Sequence, residues 1–421
     1  MPKEPQTGDI SIENIIKAGY KLYGVVQDTP LQHNLNLSER YQANIFLKRE
    51  DLQMVRSYKI RGAYNFISNL SVEQARNGVV CASAGNHAQG VAYSCSLLNI
   101  KCKIYMPTTT PAQKIQAVKR LGKQWVEVVL FGDTYDEAYL EAMTYTEQNK
   151  KIFVHPFDDP QIIEGQGTIG LEILNNFKGQ IDYLFLPIGG GGLSAGVGTC
   201  FKKLSPQTMI VGVEPWGAPA MKKALEAGAV VTLEKIDKFV DGAAVQTVGK
   251  LNLDICKKIL NDLILVPEGK ICTFILQLYN EDAIVLEPAG ALSIAALDLY
   301  KEQIKGKNVV CIVSGGNNDI ERMPEIKERS LIYEGLKHYF IVQFPQRAGA
   351  FNHFLGQVLG ANDDITRFEY EKKTNQSTGP AFIGIELKHK DDYAPLIERL
   401  NATGLEYIAV NENRSLFGFL V

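Results

Sequence analysis

Four short stretches of this chain could do chemistry together, and Lys59 heads them. It stands in Ser57-Tyr58-Lys59-Ile60-Arg61-Gly62-Ala63, beside small residues and at the start of an amphipathic helical pattern. A lysine is ordinarily a solvated surface charge. One partly withdrawn from water loses pKa and becomes a nucleophile able to form a Schiff base with a carbonyl. The second stretch, Ser83-Ala84-Gly85-Asn86-His87-Ala88-Gln89-Gly90, follows a β-branched run and opens an apolar helix. Small residues at a helix start expose N–H groups that suit a carboxylate or a phosphate, and Asn86 adds an amide donor. Simple capping by Ser83 or Asn86 is the bland alternative. Third, the strand-like Ile181 to Ile188 runs into Gly189-Gly190-Gly191-Gly192-Leu193 and then a helical stretch. Four glycines let consecutive N–H groups turn inward, so this reads as a phosphate cup more readily than as a loose turn. Fourth, Ser314-Gly315-Gly316-Asn317-Asn318 follows Val309 to Val313 and offers a hydroxyl that can meet a ring nitrogen. An amine and two glycine-bearing loops can hold the two ends of an aldehyde cofactor.

A rival reading uses one of the same segments. Gly190-x-Gly192-x-x-Ala195 fits the dinucleotide fingerprint, and Glu214 closes the next strand candidate about where a ribose-binding acid belongs. That reading predicts a nicotinamide dehydrogenase but leaves Lys59 and the other loops without work.

These loops need elements to position them. From about Ala43 to about Asp319, short β-branched runs alternate with longer helical patterns, the mark of parallel sheets built from βαβ units. Strand candidates are Gly78 to Cys81, Lys103 to Met106, Trp125 to Val129, Tyr183 to Leu186, Met209 to Val213 and Asn308 to Val313. A run this long divides into two α/β lobes, with a cleft between them for a ligand. The charged stretch ending at Lys337, with Pro324 and Gly335, reads as a linker. After it come strand (His338 to Phe344), helix (Gly349 to Leu359), strands (Asp364 to Glu371 and Ala381 to Leu387), helix (Tyr393 to Leu400) and strand (Tyr407 to Val410). The order βαββαβ is that of a ferredoxin-like domain. The expected division is therefore 1–325 for the two-lobed region, 326–337 for the linker and 338–421 for the small α+β domain.

Composition narrows the classes. The 421 residues are 45% apolar with a net charge of -3, enough for real cores and no electrostatic reason to bind nucleic acid or an anionic membrane. Seven scattered cysteines without Cys-x-x-Cys read as buried apolar residues in a reducing compartment. The polar start, Met1-Pro2-Lys3-Glu4-Pro5, has no signal-peptide character, and no run approaches a membrane span of about 20 apolar residues. The expected location is the cytoplasm. Six histidines never form His-x-x-x-His and Gly-x-Ser-x-Gly is taken as missing, so neither zinc hydrolysis nor serine-nucleophile chemistry is expected.

In chain order, the four motifs resemble those of the tryptophan-synthase-β-like family of pyridoxal phosphate enzymes, in its threonine-dehydratase branch. The likeness runs from about Ala18 to Asn413. It implies a two-lobed fold type II catalytic region with parallel-type sheets, followed by a small ferredoxin-like (ACT-like) regulatory domain. It makes Lys59 the cofactor-bearing lysine and the base for the Cα proton. It gives Asn86 the cofactor's 3-oxygen, Gly189, Gly190, Gly191, Gly192 and Leu193 its phosphate, and Ser314 its pyridine nitrogen. Ser83, Ala84, Gly85, Asn86 and His87 would hold the substrate carboxylate, and Glu287 in Glu287-Pro288-Ala289-Gly290-Ala291 would line the cofactor cleft. The implied reaction is deamination of L-threonine to 2-oxobutanoate and ammonia, the entry to isoleucine synthesis, with serine as an alternative substrate. Relatives that racemise serine have a second hydroxyl base just before the glycine matching Gly85; Ala84 stands there, which speaks against racemisation. Some relatives bind a divalent cation through an acid matching Glu214, but Ala220 replaces the second carboxylate, and no metal is expected. The ACT-like tail, with Phe344-Pro345-Gln346-Arg347-Ala348-Gly349-Ala350 in its first strand-to-helix turn, implies isoleucine as effector. A homo-oligomer, dimer or tetramer, is expected. An amino-acid sensor with inactive catalytic lobes is a third reading, opposed by the intact Lys59, Asn86 and Ser314.

Overall fold

The computed structural model describes residues 10–372, 376–413 and 416–418. Met1 to Pro5, read above for leader character, lie outside the described residues. The chain forms two compact units, one of residues 1–268 with 277–319 and one of residues 269–276 with 320–421.

The first unit carries strands β1 (Leu31–His33), β2 (Asn44–Arg49), β3 (Val79–Ala82), β4 (Cys102–Met106), β5 (Val126–Leu130), β6 (Ile152–Phe153), β7 (Tyr183–Pro187), β8 (Met209–Pro215), β9 (Asp262–Val266) and β10 (Asn308–Val313). They form two sheets, β1-β2-β10-β7-β8-β9 and β5-β4-β3-β6. Every pairing is parallel except the edge pair of β1 and β2. Sheets covered by helices on both faces need strands apolar on both faces. Val79 to Ala82 are accordingly all buried, as are Val309 to Val313. All six strand candidates are found. Short β1 and β6, and β2 with its flanking polar residues, carry weak sequence signals, while β9 is a short apolar run, Leu263 to Val266, behind Asp262 and directly after a helix, where period alone does not separate strand from helix.

In open α/β sheets ligands collect at the carboxyl ends of the strands. Ser83 follows β3, Gly189 follows β7, Ser314 follows β10, and a loop beginning at His155 follows β6. Lys59 opens the helix Lys59–Ser68. Helix Pro160–Asn176 packs against both this helix and the helix Gly192–Leu204 that follows the glycine run. The approach is close enough that a Cβ at Gly165 would lie 2.6 Å from the Arg61 carbonyl oxygen, and one at Gly196 would lie 2.2 Å from that of Ile163. The lysine and the glycine run are thus placed through one intervening helix.

Beneath Lys59, Arg61 is fully buried. Its guanidinium bonds Glu50 at 2.7 and 2.8 Å and Glu172 at 2.6 and 2.8 Å, while Lys48 reaches Glu172 at 2.6 Å. Burial alone would raise the Glu50 carboxyl, but the Arg61 guanidinium outweighs it and holds Glu50 below the ordinary value. Removing one partner would strand a buried charge at a cost of about 3–5 kcal/mol. All seven cysteines are free and buried.

The second unit contains β11 (Lys337–Pro345), β12 (Asp364–Tyr370), β13 (Thr378–Glu386) and β14 (Tyr407–Ala409), with helices Ala350–Val358 and Tyr393–Ala402. The sheet order β12-β13-β11-β14, entirely antiparallel, is the ferredoxin-like arrangement expected from the sequence. The stretch expected as a linker, 326–337, is different. It is helical through Tyr333, within Met323–Tyr333, and β11 already starts at Lys337. Pro324 lies in the first turn, where its missing N–H costs nothing, and Gly335 (φ 72°) takes the turn after the helix. Punctuation that looked like an irregular linker therefore frames a helix.

Candidate active site

Lys59 is half-buried, and Nζ donates to the Pro156 carbonyl oxygen at 2.8 Å. Withdrawal from water pushes its pKa down to about 8, partly opposed by the nearby Glu287 carboxylate. A large fraction is therefore the neutral amine near pH 8, the form that attacks a carbonyl or accepts a proton.

The glycine run is built into its surroundings. Gly191 has φ 95°. A Cβ at Gly190 would lie 2.3 Å from the Phe157 ring, one at Gly192 2.7 Å from the Phe157 carbonyl oxygen, and one at Gly189 3.0 Å from the Ala243 backbone. The Gly190 carbonyl accepts from Asn252 Nδ2 at 2.8 Å and from the Gly249 N–H at 3.1 Å. Among the described residues, none of the N–H groups of Gly189 to Leu193 has a protein acceptor. Five adjacent donors at the start of a 13-residue helix make a nest for a di-anion.

The Ser83 loop is looser. Ser83 Oγ accepts from the Gly85 N–H at 3.2 Å, and a Cβ on Gly85 would meet nothing within 4 Å. Ser83, Ala84, Gly85 and Asn86 are partly exposed, so the loop faces open space. His87 differs from its neighbours. Its ring is buried with Nε2 2.9 Å from the Val154 carbonyl oxygen, and burial, with the Lys59 charge adding to it, drives its pKa down to about 3. An imidazole committed in this way leaves only the His87 backbone to face a ligand.

Asn86, Glu287 and the Ser314 loop form one connected group. Asn86 Nδ2 donates to Glu287 Oε1 at 2.6 Å, and Asn86 Oδ1 accepts from Asn317 Nδ2 at 2.7 Å. Ser314 Oγ donates to the Ala289 carbonyl at 3.1 Å, and the Ser314 carbonyl receives the Tyr58 N–H. Gly315 pairs with Ser57 across an isolated bridge, and its Cα lies so near Glu287 that a Cβ would be 2.3 Å from the carboxylate. Asn86, Glu287 and the Ser314 loop, far apart in sequence, are thereby joined by short contacts, and Ser57 and Tyr58, the two residues before Lys59, are tied to the same loop.

Several participants had no sequence signal. His155, Phe157, Asp158 and Asn252 support the cup without belonging to any motif, and Arg61 was quoted without a role. Two readings need correcting. Glu214 is not available for a ribose: it is buried and accepts from the Met221 and Lys222 N–H groups at 2.6 and 2.9 Å, closing the start of helix Ala220–Ala227. The Gly-x-Ser-x-Gly spacing expected to be missing is present in Gly192-Leu193-Ser194-Ala195-Gly196. Ser194 is fully buried with Oγ toward the Pro187 carbonyl, so it is no exposed nucleophile. Among the described residues there is no group of three or more His, Cys, Asp or Glu placed to hold a metal.

Comparison with known proteins bears on the whole chain. Residues 22–315 match the family described as pyridoxal-phosphate dependent enzyme, and residues 328–420 match the C-terminal regulatory domain of threonine dehydratase. The biosynthetic L-threonine dehydratase of Halalkalibacterium halodurans is 62% identical over 98% of this chain and 100% of its own. The processed form of threonine deaminase isoform 2 from Solanum lycopersicum superposes with a TM-score of 0.72 at 43% identity, covering 78% of this chain and 96% of that one. Serine racemase from Dictyostelium discoideum gives 0.68 at 31% identity, over 74% and 99%.

Proposed function

This chain belongs to the pyridoxal-phosphate-dependent enzyme family, and from that premise we infer that it deaminates L-threonine to 2-oxobutanoate and ammonia. The single observation that carries the reading is the half-buried Lys59 amine, with a lowered pKa, bonded to the Pro156 carbonyl, whose neighbour Phe157 packs under the glycine run Gly189 to Leu193, where among the described residues the N–H groups have no protein acceptor.

The residues fit the cofactor. Five unpartnered backbone donors suit a phosphate, a lysine of lowered pKa suits an aldehyde, and a hydroxyl at Ser314 suits a pyridine nitrogen without imposing a proton on it. Bound pyridoxal phosphate supplies the electron sink that makes a substrate Cα proton removable. Lys59 Nζ, whenever its amine is free, takes that proton, and the Pro156 carbonyl fixes where its lone pair points. Ser83 to His87 hold the substrate carboxylate, the N–H groups of Ala84, Asn86 and His87 having no protein acceptor among the described residues while that of Gly85 is bonded to Ser83 Oγ. Asn86 keeps one amide hydrogen on Glu287 and has a second for the cofactor's ring oxygen. The β-hydroxyl takes up a proton and departs as water; the four-carbon enamine that is released tautomerises to an imine, and hydrolysis of its C=N bond gives 2-oxobutanoate and ammonia. Serine lacks one methyl of threonine, worth about 1–3 kcal/mol in a pocket, so it is a slower substrate rather than an excluded one.

The second unit acts as the regulatory domain, with isoleucine as the effector at the turn from β11 into helix Ala350–Val358. Phe351 and Phe368, with ring centroids 4.2 Å apart, give that turn an apolar wall. The catalytic residues are then 1–325 and the regulatory residues 338–421, with 326–337, mostly helical, between them in the chain. A homo-oligomer in the cytoplasm completes the reading; no described helix is long and apolar enough to cross a membrane.

The test is the visible absorbance of the purified protein with pyridoxal phosphate, before and after threonine, together with 2-oxobutanoate release. A lysine-type band that changes with threonine as keto acid accumulates is expected, and isoleucine should lower the rate and raise the melting temperature. A protein that stays colourless when supplied with the cofactor would refute the assignment.

A further inference from the structure

The loop after β6 concentrates more of the site than its sequence suggests. His155 Nδ1 accepts two backbone hydrogen bonds, from the Phe157 N–H at 3.2 Å and from the Asp158 N–H at 2.7 Å. This is the turn an Asx side chain makes with the residues two and three positions on, here made by an imidazole. Each of the next three residues then performs a separate task. The Pro156 carbonyl receives Lys59 Nζ at 2.8 Å. Phe157 underlies Gly190 and Gly192, and its carbonyl accepts from Asn252 Nδ2 at 3.1 Å. Asp158 bonds the Lys250 and Asn252 N–H groups at 3.0 and 3.2 Å, at the start of helix Lys250–Ile259.

We propose that His155 is a positioning residue for this reaction: its neutral Nδ1 pins the turn that sets Lys59 in register with the phosphate cup. The acceptor role requires the lone pair on Nδ1, so the ring's proton must sit on Nε2, and a second proton would break both bonds. The groups facing it favour the neutral ring. The Phe157 ring stands edge-on at 4.8 Å and Phe153 at 6.4 Å, while the charged group acting on it is Lys59 and the neighbouring imidazole is His87. Asp158, the adjacent carboxylate, is turned to helix Lys250–Ile259. Withdrawal from water, then the Lys59 charge, lower the His155 pKa to about 4. The turn is therefore pinned throughout the range in which a Lys59 amine is useful.

This inference rests on Lys59 and the glycine run holding the cofactor, and its test separates the two ideas. His155→Asn places an oxygen at the same bond count from the backbone and keeps the acceptor; His155→Gln keeps polarity but moves it one bond away. Two readouts are used on full-length protein: affinity of the cofactor-free form for pyridoxal phosphate, and the pH dependence of Lys59 acylation in that form, followed by peptide mass spectrometry. His155→Asn should match the unaltered protein on both. His155→Gln should bind the cofactor about tenfold or more weakly, through loss of the two hydrogen bonds that hold the turn, with its Lys59 midpoint moved up. A His155→Gln that fails to fold beside a folded His155→Asn also supports the acceptor role. If His155→Gln matches the unaltered protein, or His155→Asn fails with its acceptor intact, the proposal is overturned. If the unaltered protein itself takes up no cofactor, the site assignment falls, and His155's role with it.

Discussion

The two loops proposed to bind anions, Gly189 to Gly192 and Ser83 to Asn86, are made in opposite ways. At Gly189 to Gly192 the absence of side chains is demanded by neighbours, because Phe157, Ala243 and Asn252 occupy the space. At Gly85 an added methyl would find nothing within 4 Å, and the loop borders open space. The first loop is a preformed receptacle whose shape the fold enforces, suited to a group that stays. The second keeps its room for a group that comes and goes. Glycine in one is a packing requirement and in the other a clearance for ligand.

The largest effect lies between the loops. Lys59→Ala leaves both in place while removing the amine that each serves, so threonine turnover should fall by at least about 10⁴-fold. Cofactor should still bind through the phosphate cup without a lysine-type absorbance; turnover close to the parent's would refute the role of Lys59. Gly190→Ala comes next. Its methyl would meet the Phe157 ring, and overpacking of this kind costs about 1–3 kcal/mol. Melting temperature and cofactor affinity should both drop, and Phe157→Leu should partly restore them in the double variant. Failure of that rescue would mean the cup is not seated on Phe157. Gly85→Ala should behave in the opposite way, with stability unchanged within about 0.5 kcal/mol and a raised KM for threonine. Equal loss of stability in the two glycine variants would erase the contrast.

The remaining effect is in acid. The folded-state pKa values of His87 and His155 are lowered from the ordinary 6.5 to about 3 and about 4. Below pH 6.5 the unfolded chain binds protons that the folded chain refuses, so stability rises with pH in this window. The histidine contribution is complete above pH 6.5 and is lost progressively as pH falls toward about 4. Melting curves should show this slope, and His155→Asn should reduce it by one proton's share.

The βαβ alternation, the βαββαβ tail and the four motifs were readable from residue type and period because each is a local pattern. Lys59, Gly189 to Leu193 and Ser314 announced themselves as an amine beside small residues and as strand ends running into glycine. His155, Phe157 and Asn252 gave no such signal, since their roles exist only once a loop after β6 meets a glycine run well downstream and a helix still further on. The Arg61 cluster was hidden for the same reason: Glu50 and Glu172 are 122 residues apart, and only folding makes them neighbours. The helix at 323–333 was misread because proline and glycine mark both linkers and helix ends, and local punctuation cannot tell which.

By itself the sequence determined which chemistry was available, because a lysine, a glycine run and a terminal hydroxyl are properties of residue type and order. Tertiary structure decided which groups are free to use it. It turned the His87 imidazole inward, committed Glu214 and Ser194 to backbone partners, and left the N–H groups of Gly189 to Leu193 without any among the described residues. The physical reason is that burial and hydrogen-bond satisfaction belong to the packed molecule, set by neighbours that the linear order does not reveal.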